Sequence, residues 1–210
     1  MKKHNIKTLV FDLGGVYFTR GSNLAIEKII DLYDIEKHHL LREFFRDGYK
    51  KEGHLIRLGM ISMNEFEEKL ISAFNIKEDN IHHIRHLWFG SYVPHYKMEA
   101  LIDKLGEKFR LVIFSGNVRE RVEFLDNRYH FLEKFDDYVF SFDYQKNKGQ
   151  IGFYKELLKH LNCEPSEAIL IDDERKTIRF AKGIGLNIIL YYYTEQLIDE
   201  LKKYDIDVNL

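Results

Sequence analysis

Asp12, Asp172 and Asp173 stand directly behind short apolar runs, Leu9-Val10-Phe11 and Ile169-Leu170-Ile171, while a third run, Val112-Ile113-Phe114, ends in Ser115-Gly116-Asn117. Two lysines, Lys146 and Lys148, follow a fourth run that ends near Ser141. Together these residues suit phosphoryl chemistry. Three carboxylates gathered at one rim repel each other unless a cation sits among them. A hard, oxygen-rich set of this kind suits Mg²⁺, which keeps several waters and is completed by substrate phosphate. Ser115 and the amides around Asn117 can donate to phosphate oxygens at the start of a helix. Lys148 adds a compact positive charge, and one carboxylate beside bound phosphate can attack phosphorus to form an aspartyl-phosphate.

These residues meet only if the runs behind them are strands of one sheet. Strands are expected over 7–12, 110–115, 138–141, 168–171 and 187–191, with helices over 97–107, 151–161 and 175–182. A last helix, capped by Thr194, is expected to run to about 204. Such alternation of apolar runs and amphipathic stretches indicates an α/β domain with a mainly parallel sheet. Ligands of open parallel sheets bind at the carboxyl ends of the strands, near the point where strand order reverses. The interval 19–95 differs, with no convincing strand and several helical patterns, among them Ser62-Met63-Asn64-Glu65, a capping box. It is expected to form an all-helical cap over the sheet edge, with 1–18 and 96–210 forming the Rossmann-like core.

The order of these motifs resembles the haloacid dehalogenase superfamily, in its phosphatase branch with a helical cap. The matching segments are Val10-Phe11-Asp12-Leu13-Gly14-Gly15-Val16, Ile113-Phe114-Ser115-Gly116-Asn117, Lys148 and Leu170-Ile171-Asp172-Asp173. No one of them is specific, but four in order along nearly the whole chain are. The resemblance implies that Asp12 is the nucleophile. It implies that magnesium takes Asp12, the Gly14 backbone carbonyl and Asp173, with Asp172 close by. Ser115, Gly116, Asn117 and Lys148 would then hold the phosphoryl group of a small phosphorylated metabolite. Two departures stand out. Most such phosphatases carry a second Asp two residues after the nucleophile as general acid/base, and here that position is Gly14. Loss of such a group typically costs about 10²–10⁴-fold in rate. Family members with an Asp-Leu-Gly-Asn-Val type of motif resemble sugar-phosphate phosphatases despite the same gap. Gly149 stands where Pro usually follows the lysine, which leaves Lys146 as the fallback for Lys148. Two alternatives stay open: carbon–halogen hydrolysis by the same aspartate, as in the dehalogenase branch, and a catalytically weak relative kept for binding or regulation.

Composition narrows the field further. Lys+Arg 32 against Asp+Glu 34 gives a formal net charge of −2, whereas nucleic-acid binders and membrane-surface proteins need a positive excess. The single cysteine, Cys163, excludes an internal disulfide and a cysteine zinc cluster. The first apolar run is broken at Asp12, too soon for a signal peptide or a membrane span. A cytoplasmic monomer or homodimer is the expectation. His82 and His86 stand i, i+4 beside His83, as zinc ligands do, but no third ligand follows at motif spacing. They and His95 are read as surface or packing residues unless one enters the cleft, where it would be a candidate for the missing acid. Phe44, Phe45 and Trp88 are read as cap core, and Tyr191-Tyr192-Tyr193 as the partly buried end of a strand.

Overall fold

Five short apolar runs form one parallel sheet: β1 (Thr8–Phe11), β2 (Arg110–Ser115), β3 (Asp137–Phe140), β4 (Ala168–Asp172) and β5 (Asn187–Leu190). The structure is a computed structural model that describes residues 5–48 and 50–208. The spatial order is β3-β2-β1-β4-β5, so β1 lies at the centre, with Val10 paired to Val112 on one side and Leu170 on the other. The chain builds outward from β1 in one direction, then returns to its other flank. The carboxyl ends of β1, β2 and β4 therefore meet at the reversal.

Among the described residues, the α-helices between β1 and β2 are α1 (Gly21–Leu32), α2 (His38–Phe45), α3 (Glu52–Arg57), α4 (Met63–Phe74), α5 (Ile81–Gly90) and α6 (Tyr96–Gly106). The later connections carry α7 (Arg119–Tyr129), α8 (Ser141–Tyr144), α9 (Ile151–Leu158), α10 (Thr177–Gly183) and α11 (Thr194–Lys202). Strand residues alternate between two layers, as their period of two requires. Leu9, Phe11, Ile113 and Ile171 face α6, α7 and α11, while Val10, Val112, Phe114 and Leu170 face α9 and α10. Both faces are covered, which is why the strand sequences are continuously apolar. Burying a side chain such as Phe11 contributes roughly 1.5–3 kcal/mol.

The first layer continues without a break into the helical insert, where Phe45 and Phe66 pack on Trp88 at ring separations of 4.9 and 5.2 Å. The Ser62 capping box forms as expected, with the Glu65 amide donating to Ser62 Oγ and the Ser62 amide donating to Glu65 Oε2. The chain enters and leaves the insert side by side, the Thr19 amide bonding the Val93 carbonyl and the His95 amide the Tyr17 carbonyl, both at 2.9 Å.

Several local expectations change, and the helix expected over 151–161 ends at Leu158. Thr194 is the first residue of α11 rather than its cap, and its hydroxyl lies against Tyr191 Oη at 3.3 Å. β5 stops at Leu190, so Tyr191 is buried but Tyr192 and Tyr193 are exposed. Ser141 lies just beyond β3, where it opens α8.

Candidate active site

Asp12 directly follows β1 and Asp172 closes β4, so the parallel register of those strands puts both carboxylates at the same rim. Lys148 Nζ joins them, at 2.9 Å from Asp12 Oδ2 and 2.6 Å from Asp172 Oδ2. The remaining carboxylate oxygens also have donors: the Leu13 amide bonds Asp12 Oδ1 and the Glu174 amide bonds Asp172 Oδ1. Each of the three acids Asp12, Asp172 and Asp173 offers an oxygen within 4.8 Å of the others. Burial pushes the Asp12 carboxyl up to about 7, against the pull of Lys148 and with a further push from Asp172. Burial would lower the Lys148 ammonium, but the two aspartates outweigh it and hold that group well above the usual lysine range.

Lys146 lies elsewhere, its Nζ 2.7 Å from Glu156, so the lysine at the carboxylate cluster is Lys148. Asp172 is fully buried behind it, while Asp12 and Asp173 line an open cavity of about 500 Å³. Asp173 takes a forked contact from Arg20, whose Nε donates to Oδ2 at 2.8 Å and whose Nη2 reaches the same oxygen.

Ser115 ends β2 and lines this cavity together with Gly116 and Asn117. Two of the turn's amides, which the sequence suggested as donors to a ligand, are already engaged within the protein. The Asn117 amide donates to Ser141 Oγ at 3.1 Å, and the Val118 amide donates to Asn117 Oδ1 at 2.9 Å. Asn117 Oδ1 also accepts from Arg121 Nε at 2.8 Å. These bonds fix the turn and leave the Gly116 amide, the Ser115 hydroxyl and the Asn117 side-chain amino group without a partner among the described residues.

Gly14 and Gly15 differ sharply. A Cβ on Gly14 would have Tyr92 Cε1 as its nearest neighbour, at 3.8 Å, an ordinary contact. Gly15 adopts φ +88°, and a Cβ there would fall 2.1 Å from Asp173 Oδ2. Gly15 is therefore a backbone requirement of the acidic cluster, whereas the bare Gly14 leaves room in the cavity wall.

The cavity's other wall comes from the insert and from α7, and the motifs do not report it. Asp47, Arg57, Tyr92 and Arg121 all line it. Asp47 Oδ2 comes within 4.0 Å of a Cβ position on Gly116, and its Oδ1 lies 2.7 Å from His54 Nδ1. Ser141 Oγ donates to the Arg57 carbonyl at 2.5 Å, tying α3 to the turn after β2. Helical spacing alone could have flagged Arg121, four residues after Asn117; nothing local marks the others. The histidines of α5 stay out of the cavity. His83 bonds Tyr33 Oη at 2.6 Å and His86 packs against Phe124. His95 precedes α6 and is absent from the cavity wall. Among the described residues, the acidic trio is the only cluster with metal-ligand geometry, and no helix is long and apolar enough to cross a membrane.

A parallel sheet carrying acids, hydroxyl and lysine at one rim under a helical insert defines a hydrolase class, and comparison with known proteins agrees. The chain belongs to the haloacid dehalogenase-like hydrolase family, whose pattern its residues 18–191 match. An uncharacterized protein of Dictyostelium discoideum is 29% identical over 169 residues, 78% of this chain and 70% of that protein. The same fold occurs in a haloacid dehalogenase family enzyme of Bacteroides thetaiotaomicron, solved with magnesium and inorganic phosphate. It is 21% identical, with a TM-score of 0.72 over 88% of this chain and 93% of that one. It also occurs in the L-2-haloacid dehalogenase of Xanthobacter autotrophicus with chloropropionic acid covalently bound, 14% identical, TM-score 0.65, covering 94% and 83%.

Proposed function

We propose that this chain is a magnesium-dependent phosphatase that hydrolyses a small phosphorylated metabolite through an aspartyl-phosphate on Asp12. The observation that carries the reading is the placement of Lys148 between Asp12 and Asp172, beside Asp173, at the mouth of a cavity that Ser115 and Asn117 also line. A dehalogenating aspartate needs no metal, whereas this rim gathers three carboxylates. Their hard oxygen donors fit Mg²⁺, which Asp12, the Gly14 carbonyl and Asp173 would hold. When bound, the ion neutralises charge on the phosphoryl oxygens and on the acids around them.

In this reading Asp12 Oδ attacks phosphorus and the ester P–O bond breaks, the leaving oxygen departing with its electron pair. Lys148 and Ser115 stabilise the equatorial oxygens as charge spreads over them, and Asp172 holds the ammonium in place. Water then attacks the acyl-phosphate, releasing inorganic phosphate and restoring the Asp12 carboxylate. Residues 1–18 and 96–210 supply this machinery, and 19–95 act as the cap that selects the leaving group. Gly14 supplies no proton, so esters whose leaving group departs as a stabilised anion are the best substrates.

Asp12→Asn tests the covalent step. Lys148 keeps Asp172 as its partner, so the fold should persist, while turnover of p-nitrophenyl phosphate with Mg²⁺ should fall at least about 10³-fold. Substantial remaining activity in a folded variant removes the mechanism. Halide release from 2-chloropropionate without metal would favour the dehalogenase instead, and phosphate binding with only trace turnover in the wild type would favour a binding protein.

A further inference from the structure

Two arginines of the cavity wall carry buried charge that no carboxylate among the described residues answers. Arg57 is 7% exposed and Arg121 2% exposed. Arg57 Nη1 donates to the Phe45 and Gly53 carbonyls at 2.9 and 2.5 Å, and Arg121 donates to Asn117 Oδ1 and to Tyr92 Oη, the latter at 2.9 Å. All of these acceptors are neutral. The carboxylates that share the cavity are engaged elsewhere: Asp12 by Lys148, Asp47 by His54, Asp173 by Arg20 and Glu174 by Lys176. Both guanidiniums lie against the same indole, at 5.9 and 5.5 Å from the Trp88 ring, so two like charges sit close together. Buried charges without a counter-ion are costly to a fold. Packing alone does not account for two of them lining one open cavity.

The donor inventory points the same way. Each guanidinium has five N–H groups, and among the described residues Nη2 of neither arginine donates a hydrogen bond. No unbonded side-chain nitrogen or oxygen among the described residues is fully buried. Those amino groups therefore keep exposed surface, and both residues line the cavity. Tyr92 Oη joins them, already donor or acceptor to Ser22 Oγ at 2.7 Å.

The geometry points to a second anion site, formed by Arg57, Arg121 and the Tyr92 hydroxyl, which takes an additional carboxylate or phosphate carried by the same small phosphorylated substrate. The site rests on the phosphatase reading only for its neighbour, the phosphoryl position at Ser115 and Asn117. Arg121 links the two, since its Nε holds the side chain of Asn117. Titration agrees with an uncompensated positive pocket. Burial, helped by Arg57 and opposed by Tyr92, brings Arg121 down to about 10. Burial would raise the Tyr92 phenol, but the Arg121 and Arg57 charges outweigh it and hold it below the usual tyrosine range.

Calorimetric binding of non-hydrolysable phosphonates, with Mg²⁺ present, tests this without turnover. The probes are α,ω-alkylene bisphosphonates and ω-carboxyalkylphosphonates of two to four carbons, each matched to the alkylphosphonate of equal length. A hydrogen-bonded charge pair predicts that a second anion tightens binding about 10–10²-fold at the length that spans the two positions. Whichever series gains identifies the second group as phosphate or carboxylate. Arg57→Gln should cut that ratio to near one, and Arg57→Lys should restore part of it; the ratio is read within each protein, so a general loss of affinity does not mimic the result. Should Arg57→Gln fail to fold, the wild-type ratio still decides. Equal affinity for matched probes at every length overturns the site. Absence of p-nitrophenyl phosphate hydrolysis with the ratio intact would instead overturn the phosphatase reading and leave a two-anion binding site.

Discussion

Replacing Gly14 by Asp restores a carboxylic acid two residues after the proposed nucleophile, and the structure says what this should do. The backbone at Gly14 lies outside the left-handed region, and the nearest atom to a new Cβ is Tyr92 Cε1 at 3.8 Å. Substitution at a compatible glycine is neutral or stabilising by about 0.4–1 kcal/mol through the unfolded chain, so the variant should fold. The new side chain enters a cavity already bearing Asp12 and Asp173. Like charges raise a carboxyl's pKa, which keeps the proton that a general acid needs near neutral pH. A positioned acid/base contributes about 10²–10⁴-fold where proton transfer limits the rate. For ethyl phosphate, whose alkoxide leaves poorly, kcat/KM should therefore rise about 10²-fold or more. For p-nitrophenyl phosphate, whose phenolate needs no proton, it should stay within about threefold. Steady-state rates on both esters, with circular dichroism and Mg²⁺ titration as controls, check this. An unchanged ethyl phosphate rate in a folded, magnesium-binding variant refutes the missing-acid argument and shows that the cavity already holds a working proton donor.

Other perturbations should behave as distinctively. Gly15→Ala forces a Cβ into φ +88° and against Asp173 Oδ2, so Mg²⁺ affinity measured by calorimetry should drop at least about tenfold, the lower end of what displacing a ligand's support costs. Lys148→Met leaves Asp12 and Asp172 without the cation between them; breaking such a buried pair costs about 3–5 kcal/mol, read as a lower urea midpoint, and added Mg²⁺ should recover part of it. Ser141→Ala removes the hydroxyl that bonds both the Asn117 amide and the Arg57 carbonyl. The expected cost is about 1–3 kcal/mol in unfolding free energy, with a raised KM for any phosphate ester.

What the sequence disclosed and what it hid divide along a physical line. Asp12, Ser115 and Asp172 were legible because each closes or follows a strand buried on both faces. A fully apolar run that stops at a polar residue marks the rim without knowledge of any contact. Lys148 is preferred over Lys146 in the sequence only by its register with the family motif, and the fold separates the two physically, since one reaches the acids and the other Glu156. Arg57 and Tyr92 gave no signal. They stand in helical or loop sequence where arginine and tyrosine are ordinary surface residues, and their burial follows from long-range packing, Arg57 against Trp88 and Tyr92 beneath Arg121. The Thr194 cap failed for a related reason. Its hydroxyl turns to Tyr191 across the end of β5, a tertiary contact that overrides the local preference.

The turn after β2 also shows why the motif alone underdetermines the site. Asn117 is held by a hydroxyl from beyond β3, through its amide, and by a guanidinium from α7, through its side chain. That hydroxyl is itself anchored on the insert through the Arg57 carbonyl, and that guanidinium on Tyr92, just past α5. Both supports of the turn thus end on the helical block rather than on the sheet. A change confined to the insert that moves Arg57 or Tyr92 must therefore disturb Asn117 as well. If the proposed function holds, selectivity for the rest of the substrate and grip on its phosphoryl group would be two readings of one hydrogen-bonded array. Substitutions in 19–95 should accordingly change kcat and KM together, and a series in which only KM moved would show that the array is not coupled.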